Sequence, residues 1–575
     1  MLLILISAKK KFNLWGSLLR KRIFFLPKMI GVMVSCCQLG AHEISSSFQS
    51  QSIRNSIVLS DLKGIVLLGP NQCLPKKTQE VDWVGLNIPG NPKNLRNKLA
   101  VFLGKPVSAE TLVNIKKTIA DYYISESYPF VIVKVPEQDV TSGILQVFVT
   151  ESRLGTLSVE GNRYVSSEQI KKNFKIKPGQ RIYEKRLLQS LSFINRNPFQ
   201  RADLVFAPGT EVDTTNVIIA VKDRRPLRIY AGSDNLAVEL LGPNQWYAGF
   251  NWGNAFGLGH ILSYQYTAAY NIQRLQAHTA QYTAFLSWGH ILDVYGGYSE
   301  VHQPVTPPFK RNSGWSMQAS ARYTIPLKIY PYLEHEIITG ADVKRTNNTF
   351  EFTEVFPLFG KNVNLTQVLL GYNGNYERNT YRVDFKGNFF WSPGRWLPDQ
   401  TNADYSSLRP GAVNQWVYFR GYFAYLQRLP RSFSLSLRAT GQGSSQPLIP
   451  SEQFGLGGYE TVRGYEEREL NVDNAIVLNL EVRSPGLPIA KWMKPTCTIP
   501  DALQFLVFLD YGWGDYIVPL PATPKTAYLM GAGPGVRYTL EPYLTARLDW
   551  GVRLHNEDEF VGNWNRFHFN VTASY

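Results

Sequence analysis

The last nine residues, Phe567-His-Phe-Asn-Val-Thr-Ala-Ser-Tyr575, alternate between apolar and polar side chains. One parity holds Phe567, Phe569, Val571, Ala573 and Tyr575, and the other holds His568, Asn570, Thr572 and Ser574. Successive side chains of a β-strand point to opposite faces, so the segment predicts a strand with one apolar and one polar face. Soluble domains often fray at their ends. A patterned strand that finishes on an aromatic residue therefore favours a transmembrane β-barrel over a soluble sandwich.

The same alternation extends back to about Leu227, in segments of about ten residues separated by turns rich in Gly, Asn, Asp and Pro. Ser432–Thr440 and Leu544–Arg553 are examples. Backbone groups inside a bilayer must all be paired, so such a sheet has to close on itself. We expect residues 225–575 to form a barrel of about 16 antiparallel strands. The last strand should pair with the first, predicted at Arg228–Gly232.

Ahead of the barrel, the sequence predicts two small α+β modules, residues 62–152 and 153–224. Each shows the order β-α-α-β-β, with apolar residues at helical spacing in its helices. The first module carries Leu112, Ile115, Ile119 and Tyr122 on one helix face, and the second carries Leu187, Leu188, Leu191 and Ile194. The recurrence is one of structure, without an obvious repeat of sequence.

Residues 1–41 are typical of a secretory signal. They contain seven Lys or Arg and no acidic residue, followed by the apolar stretch Ile30–Val34 and the small pair Gly40-Ala41. Residues 42–61 are polar and serine-rich, which predicts a linker. Cleavage after Ala41 would lower the formal net charge from +15 to +8 by removing those seven cations.

Composition narrows the class further. Charged residues make up 18% of the chain and aromatic residues 13%, whereas soluble proteins have about 25% charged residues. Past the N-terminus, no stretch approaches the roughly 20 apolar residues of a membrane helix. The expected mature chain has no clustered basic patch, which argues against nucleic acid as a partner. Its two cysteines, Cys73 and Cys497, are predicted to be free thiols.

The stretch most informative about mechanism is residues 451–468, which contains Gly457-Gly458 and Val462-Arg463-Gly464-Tyr465. Its glycines permit tight turns, which would let Arg463 project from a folded-back loop. A guanidinium in a narrow lumen needs a partner, since an unpaired buried charge is costly. The alternative is an ordinary extracellular loop.

A partner for Arg463 is suggested by the stretch Phe508-Leu-Asp-Tyr-Gly-Trp-Gly514. Val507, Leu509, Tyr511 and Trp513 share the apolar parity, so Phe508, Asp510 and Gly512 should face the lumen. From the residues alone, Asp510 could pair with Arg463 or could be a solvated carboxylate.

These motifs resemble those of the outer-membrane transporters of two-partner secretion, the hemolysin secretion/activation proteins of the POTRA-plus-barrel superfamily. In that family a Val-Arg-Gly-Tyr loop folds into the barrel, and its Arg meets the Asp of a Phe-x-Asp-x-Gly strand. Val462, Arg463, Gly464 and Tyr465 match the first motif, and Phe508, Asp510 and Gly512 match the second. The resemblance implies two POTRA domains in the periplasm and an Arg463–Asp510 contact. Separately, the amphipathic C-terminal strand with its final aromatic residue resembles the signal that outer-membrane assembly machinery recognises, which we expect Phe567, Phe569, Val571 and Tyr575 to form.

The chain lacks the common catalytic motifs, including His-Glu-x-x-His, Gly-x-Ser-x-Gly, a Walker loop and Cys-x-x-Cys. We therefore predict no enzymatic activity, no catalytic or metal-ligating residues and no cofactor.

The resemblance predicts a translocation pore in the outer membrane of a Gram-negative-type cell. Its POTRA domains would capture an unfolded exoprotein, which the barrel then secretes. The expected partners are this exoprotein, the lipid bilayer and, during biogenesis, assembly machinery and periplasmic chaperones. The alternatives are a barrel-assembly factor of the same superfamily, a diffusion porin and, more remotely, a soluble β protein.

Overall fold

A computed structural model describes residues 57–575 except 71, 73–79, 239–241, 304–310, 329, 331, 354–355, 497, 520–523 and 556–562. The predicted signal segment, most of the predicted linker and all four cysteines lie outside the described residues. The chain divides between Arg224 and Arg225 into two units, which are described separately below. Among the described helices, none has the length and apolar character needed to cross a membrane.

The first module packs two helices against a four-stranded sheet. Its elements are β1 (Ile57–Leu59), β2 (Gly64–Leu68), β3 (Val81–Val84), α1 (Pro92–Ala100), β4 (Val107–Ser108), α2 (Ala109–Ser125), β5 (Val131–Lys134) and β6 (Ile144–Glu151). The sheet order is β3-β2-β6-β5, and β1 pairs with β4. Ser108 caps α2, because its hydroxyl accepts a hydrogen bond from the backbone N–H of Thr111 (3.2 Å). Ile115, Ile119 and Tyr122 of α2 are buried in the core, on the face that the helical spacing predicts.

The second module repeats this plan on a smaller scale. Its elements are β7 (Arg153–Glu160), α3 (Ser167–Lys171), α4 (Glu184–Ile194), β8 (Gln200–Pro208) and β9 (Thr214–Asp223), with the sheet order β7-β9-β8. Leu187, Leu191 and Ile194 of α4 are buried against the sheet.

Three short strands of the first module differ from the sequence-based expectation. β1 lies inside the predicted linker, and β3 and β4 add to the predicted β-α-α-β-β order. Each spans only two to four residues, too few for a recognisable alternation of polarity. β1 pairs with β4, and β3 pairs with β2. These pairings depend on tertiary structure, which the local sequence does not encode.

Sixteen of the remaining described strands form a closed barrel, as predicted. They are β10 (Leu227–Asp234), β11 (Gln245–Ala255), β12 (His260–Ala269), β13 (Leu275–Phe285), β14 (Ile291–Gln303), β15 (Arg311–Pro326), β16 (Leu333–Thr353), β17 (Phe356–Glu377), β18 (Tyr381–Pro393), β19 (Gln415–Arg428), β20 (Ser434–Ser444), β23 (Asn474–Arg483), β24 (Asp501–Asp515), β25 (Thr526–Leu540), β26 (Leu544–Arg553) and β27 (Asn565–Ser574). A short hairpin, β21 (Phe454–Leu456) and β22 (Leu470–Val472), forms a separate sheet. Two short helices, α5 (Asn402–Leu408) and α6 (Ile489–Met493), lie in connections, where the sequence indicated no helix.

The barrel closes where β10 pairs with β27, from Tyr230 opposite Ser574 to Asp234 opposite Asn570. Beyond the last pair, the Asn235 side chain continues the ladder. Its Nδ2 donates to the Phe567 carbonyl (2.6 Å), and its Oδ1 accepts from the Phe569 N–H (2.8 Å). The Asn235 backbone N–H also donates to the Phe569 carbonyl (3.4 Å), so the amide side chain adds to the backbone pairing at the seam.

Polarity sorts the two faces of the barrel wall. On β27, Phe567, Val571 and Tyr575 are exposed on the outside of the barrel, whereas His568 and Asn570 are buried on the lumen side. On β24, Val507 and Leu509 face outward, whereas Phe508, Asp510 and Gly512 face inward. Apolar side chains on the outer face suit lipid, and polar ones suit a wet interior.

The strand order fixes which turns share each end. Only three residues separate β9 of the second module from β10, so β10 begins at the periplasmic end of the barrel if the modules lie in the periplasm, as the resemblance implies. Because every barrel pairing is antiparallel, the connections 394–414, 445–473 and 516–525 lie at the opposite, extracellular end.

We predict that Asn235→Ala weakens the seam. The variant loses two hydrogen bonds to β27, each worth about 1 kcal/mol, so the barrel should unfold at a lower temperature. The measurement is the heat-induced mobility shift in SDS gels of membrane fractions. Asn379→Ala, at an exposed position of a periplasmic turn, is the control. Equal midpoints for the two variants would contradict the assigned role of Asn235.

Candidate functional site in the barrel lumen

The loop between β21 and β22, residues 457–469, folds into the lumen and is called the lumen loop below. Its backbone turns at three glycines with left-handed conformations: φ is 93° at Gly457, 100° at Gly458 and 97° at Gly464. Residues with a Cβ rarely adopt such angles. The glycines therefore allow the tight path that presents Arg463 to the barrel wall.

Arg463 is 2% exposed and makes a bidentate ion pair with Asp510, which is fully buried. Its Nε donates to Asp510 Oδ2 (2.7 Å) and its Nη2 to Oδ1 (2.8 Å), while the Arg463 backbone N–H also donates to Oδ2 (3.1 Å). The guanidinium carbon lies 3.6 Å from the centre of the Phe508 ring. The two parallel N–H···O bonds from Arg463 to Asp510 are the strongest form of Arg–carboxylate pairing.

Two further carboxylates reach the same guanidinium. Arg463 Nη1 donates to Glu481 Oε1 (2.8 Å) and to Asp549 Oδ2 (3.3 Å). Arg483 in turn donates to Glu481 (2.5 and 2.8 Å), and Arg537 donates to Asp549 (2.5 and 2.6 Å). The three carboxylates on Arg463 are thus matched by three guanidinium groups. Arg463, Asp510 and Asp549 are almost fully buried, so removing any one of these three would leave an uncompensated buried charge.

Three glycines of the wall make room for the lumen loop. A Cβ at Gly531 would lie 2.0 Å from the Arg463 carbonyl oxygen, and one at Gly551 would lie 2.3 Å from the Gly464 nitrogen. A Cβ at Gly512 would lie 2.7 Å from the Val462 side chain. Wall and loop therefore approach to backbone contact, which only glycine permits.

The other motif residues anchor the flanks of Arg463. Val462 is buried in an apolar cluster between the hairpin and the wall. The Tyr465 hydroxyl donates to the carbonyl oxygens of Met530 (3.0 Å) and His555. On the last strand, His568 Nε2 accepts from the Gly464 N–H (3.1 Å). The loop thus contacts several strands, including one at the seam.

The structure brings together the residues that the sequence singled out as a loop motif and a strand motif. Phe567, Phe569, Val571 and Tyr575 lie on the opposite parity of β27 from His568 and take no part in this site. Sequence reasoning missed Glu481, Asp549 and His568. The alternation of β23, with Ile476, Leu478, Leu480 and Val482 exposed, placed Glu481 inward and could have indicated it.

The site is a set of mutually paired ions and hydrogen bonds. Within the described residues, no group of three or more His, Cys, Asp or Glu is arranged to hold a metal ion. The arrangement can hold a loop in one position, and it can release that loop when water replaces its contacts.

Fold and site together define an outer-membrane barrel transporter with small periplasmic domains. The family model described as "Haemolysin secretion/activation protein ShlB/FhaC/HecB" matches residues 213–538, and that of the ShlB-type POTRA domain matches residues 78–152. The chain belongs to this family of haemolysin secretion/activation proteins. It is an outer-membrane transporter of two-partner secretion, with its POTRA domains in the periplasm.

Named relatives are distant but cover most of the chain. It is 22% identical to the heme/hemopexin transporter protein HuxB of Haemophilus influenzae (strain 86-028NP), over 73% of each protein. It is 23% identical to the outer membrane transporter CdiB of Dickeya dadantii (strain 3937), over 64% of this chain and 65% of the relative.

Two solved structures share the fold. CdiB from Escherichia coli matches with a TM-score of 0.73 and 16% identity, over 96% of this chain and 98% of that one. CdiB from Acinetobacter baumannii matches with a TM-score of 0.64 and 17% identity, over 96% of this chain and 99% of that one.

We predict that Gly531→Ala displaces the lumen loop without changing any charge, because the new methyl group would collide with the Arg463 backbone. A cysteine at half-buried Thr461, in a chain whose own cysteines are replaced by serine, reports the displacement. Its reaction with a small water-soluble thiol reagent should become about tenfold faster as the open population rises.

Gly443→Ala is the matched control, since a Cβ there meets nothing within 4 Å. If the cysteine at position 461 reacts at the same rate in both alanine variants, the close fit at Gly531 does not hold the lumen loop in place.

Proposed function

We propose that the POTRA modules bind an unfolded exoprotein by its backbone and pass it to the barrel. The lumen loop then holds the interior in the conformation that conducts the chain outward. The process involves no catalytic chemistry. Assembly machinery and periplasmic chaperones act on the transporter only while its barrel is inserted.

Free sheet edges support the capture step. β5 is an outer strand of the first sheet, and β8 is an outer strand of the second, so each has one strand neighbour in the described structure. Their other edges can pair with an extended peptide. Such binding reads backbone rather than side chains, which suits a long substrate that arrives unfolded.

Contacts across the module junction keep these edges in a fixed relation. Only Ser152 separates β6 from β7, and its hydroxyl lies 2.7 Å from that of Thr215. The rings of Phe130 and Phe206 pack with their centres 4.6 Å apart. The two modules therefore present one surface to the substrate.

The lumen network carries the export step of the proposal. Arg463 joins the loop to Asp510, Glu481 and Asp549, so this side chain is the main ionic link that docks the loop. Neither ATP nor a proton gradient is at hand in the outer membrane. Folding of the exoprotein outside the cell would favour outward movement.

We predict that Arg463→Ala abolishes export while the barrel remains in the membrane. The variant leaves three buried carboxylates short of one cation, a change that costs about 3–5 kcal/mol in buried pairs, and undocks the loop. The assay measures the exoprotein outside the cell and the transporter in the outer-membrane fraction. Lys491→Ala, at an exposed lysine, is the control.

Normal export by Arg463→Ala would contradict the proposed role of the loop. A general depletion of outer-membrane proteins on deletion of the gene, in place of one stranded exoprotein, would indicate an assembly factor.

We also predict that photo-crosslinking amino acids at Lys134 on β5 and Asp203 on β8, both exposed, capture an exoprotein stalled during export. A crosslinker at exposed Lys117 on α2 is the control, because a helix face offers no unpaired backbone groups. Equal capture at all three positions would argue against binding at the sheet edges.

A further inference from the structure

The extracellular connection between β18 and β19, residues 394–414, is called the mouth loop here. It contains α5, which begins with a capping box. The Asp404 N–H donates to Thr401 Oγ1 (3.2 Å), and the Thr401 N–H donates to Asp404 Oδ2 (2.8 Å). Reciprocal capping fixes the start of a helix. The mouth loop is therefore a folded element rather than a simple connection.

The mouth loop covers an open strand edge. β18 pairs with β17 only from Val368 to Glu377, so residues 356–367 of β17 have β16 on one side and no described strand on the other. The Asn364 backbone N–H donates to the Asp399 carbonyl (3.3 Å), and the Asn364 backbone carbonyl accepts from the Tyr405 hydroxyl (3.0 Å). Backbone groups that would otherwise be unpaired thus bind the loop.

An apolar cluster holds the loop over the lumen. Tyr405 and Ala412 of the mouth loop pack against inward-facing residues of β17 and β19 and against the segment before the lumen hairpin. The cluster comprises Val363, Leu365, Tyr405, Ala412, Trp416, Tyr418, Leu448 and Ile449. Because its strand residues share the lumen parity, the loop folds inward across the extracellular mouth.

A buried ion pair joins the mouth loop to the end of the hairpin that β21 and β22 form. Arg409, at the end of α5, is 6% exposed, and Asp473, the residue after β22, is fully buried. Arg409 Nη1 donates to Asp473 Oδ1 (2.6 Å) and Nη2 to Oδ2 (2.8 Å). Asp473 also accepts from the backbone N–H groups of Leu448 (2.9 Å) and Ile517 (3.0 Å). One carboxylate therefore ties together three extracellular segments.

The other end of the hairpin is held in a similar way. Glu452, just before β21, accepts from Lys344 Nζ of β16 (2.7 Å) and from the Tyr418 hydroxyl of β19 (3.0 Å). Buried carboxylates thus fix both ends of the hairpin that carries Arg463. Asp473 pairs with Arg409 of the mouth loop, whereas Glu452 pairs with Lys344 of the barrel wall.

We propose that Arg409 and Asp473 are positioning residues for export, which couple the extracellular mouth to the lumen loop. The pair holds the mouth loop closed while the hairpin is docked, and a polypeptide leaves only after the pair has separated. Displacement of the hairpin by substrate carries Asp473 away from Arg409, so opening begins from inside. The coupling rests on the proposed export through the lumen.

The first test measures ion conductance of the full-length protein in planar bilayers. Asp473→Asn and Arg409→Gln each leave one member of the pair without its partner, and we expect open events to become about tenfold more frequent or more. Arg395→Gln makes the same change at an exposed position of the same loop and should match the wild type. If both pair variants conduct like Arg395→Gln, the Arg409–Asp473 ion pair does not hold the mouth loop closed.

The second test traps the pair in one protein sample, so misfolding of a variant cannot mimic the result. Arg409→Cys and Asp473→Cys are combined in a chain whose own cysteines are replaced by serine, and a reducible bis-thiol reagent joins the two. Export of the exoprotein should stop on crosslinking and resume on reduction. Unchanged export by the crosslinked protein would overturn the proposal.

The two arms also separate this proposal from the proposed function. If the wild type exports nothing, the proposed export function is refuted, while the conductance measurement still tests whether the Arg409–Asp473 pair closes the mouth loop. If the wild type exports normally and crosslinking has no effect, only the proposed role of the pair is refuted.

Discussion

Closure of the backbone hydrogen-bond ladder is the constraint on which the rest of this barrel depends. In lipid, an open strand edge would cost several kcal/mol for each unpaired group, so β10 has to find β27 across more than 300 residues of chain. The short seam is reinforced by the Asn235 side chain, which makes two hydrogen bonds to the backbone of β27. Once the ring is closed, side chains can face only lipid or lumen, and that choice explains the strict alternation.

A closed lumen is also where charge becomes informative. Arg463 could not be buried there alone, so its position requires carboxylates on the neighbouring strands β23, β24 and β26. Glycines on β24, β25 and β26 let the loop come close enough for those bonds to form. Electrostatics and steric room therefore select the same place on the wall. A loop lacking either feature would stay outside or lie loosely in the lumen.

Period-two alternation predicted the strands and the inward orientation of Asp510, because these follow from single strands. The patterned C-terminal strand favoured a barrel, and the length of chain per strand gave about 16 strands. What escaped prediction depends on neighbours distant in sequence. Glu481 on β23 and Asp549 on β26 meet Arg463 only through the register of the strands from β23 to β26. Arg409 and Asp473 lie on separate connections that carry no alternation. The strands β1 and β3 were too short to show a pattern before their partners were known.

Buried ion pairs hold the hairpin together with its apolar cluster, and these ion pairs bear on how a pore can open. Well-packed hydrophobic residues would stabilise a closed state at least as well as buried ion pairs, but water cannot replace an apolar contact without a large penalty. A guanidinium and a carboxylate that separate into a hydrated lumen each regain their solvation. The contacts are therefore specific while the ions are buried and weak once a polypeptide displaces the hairpin and water reaches them. A transporter without a chemical energy source needs a closure of this kind, one that its own substrate can undo.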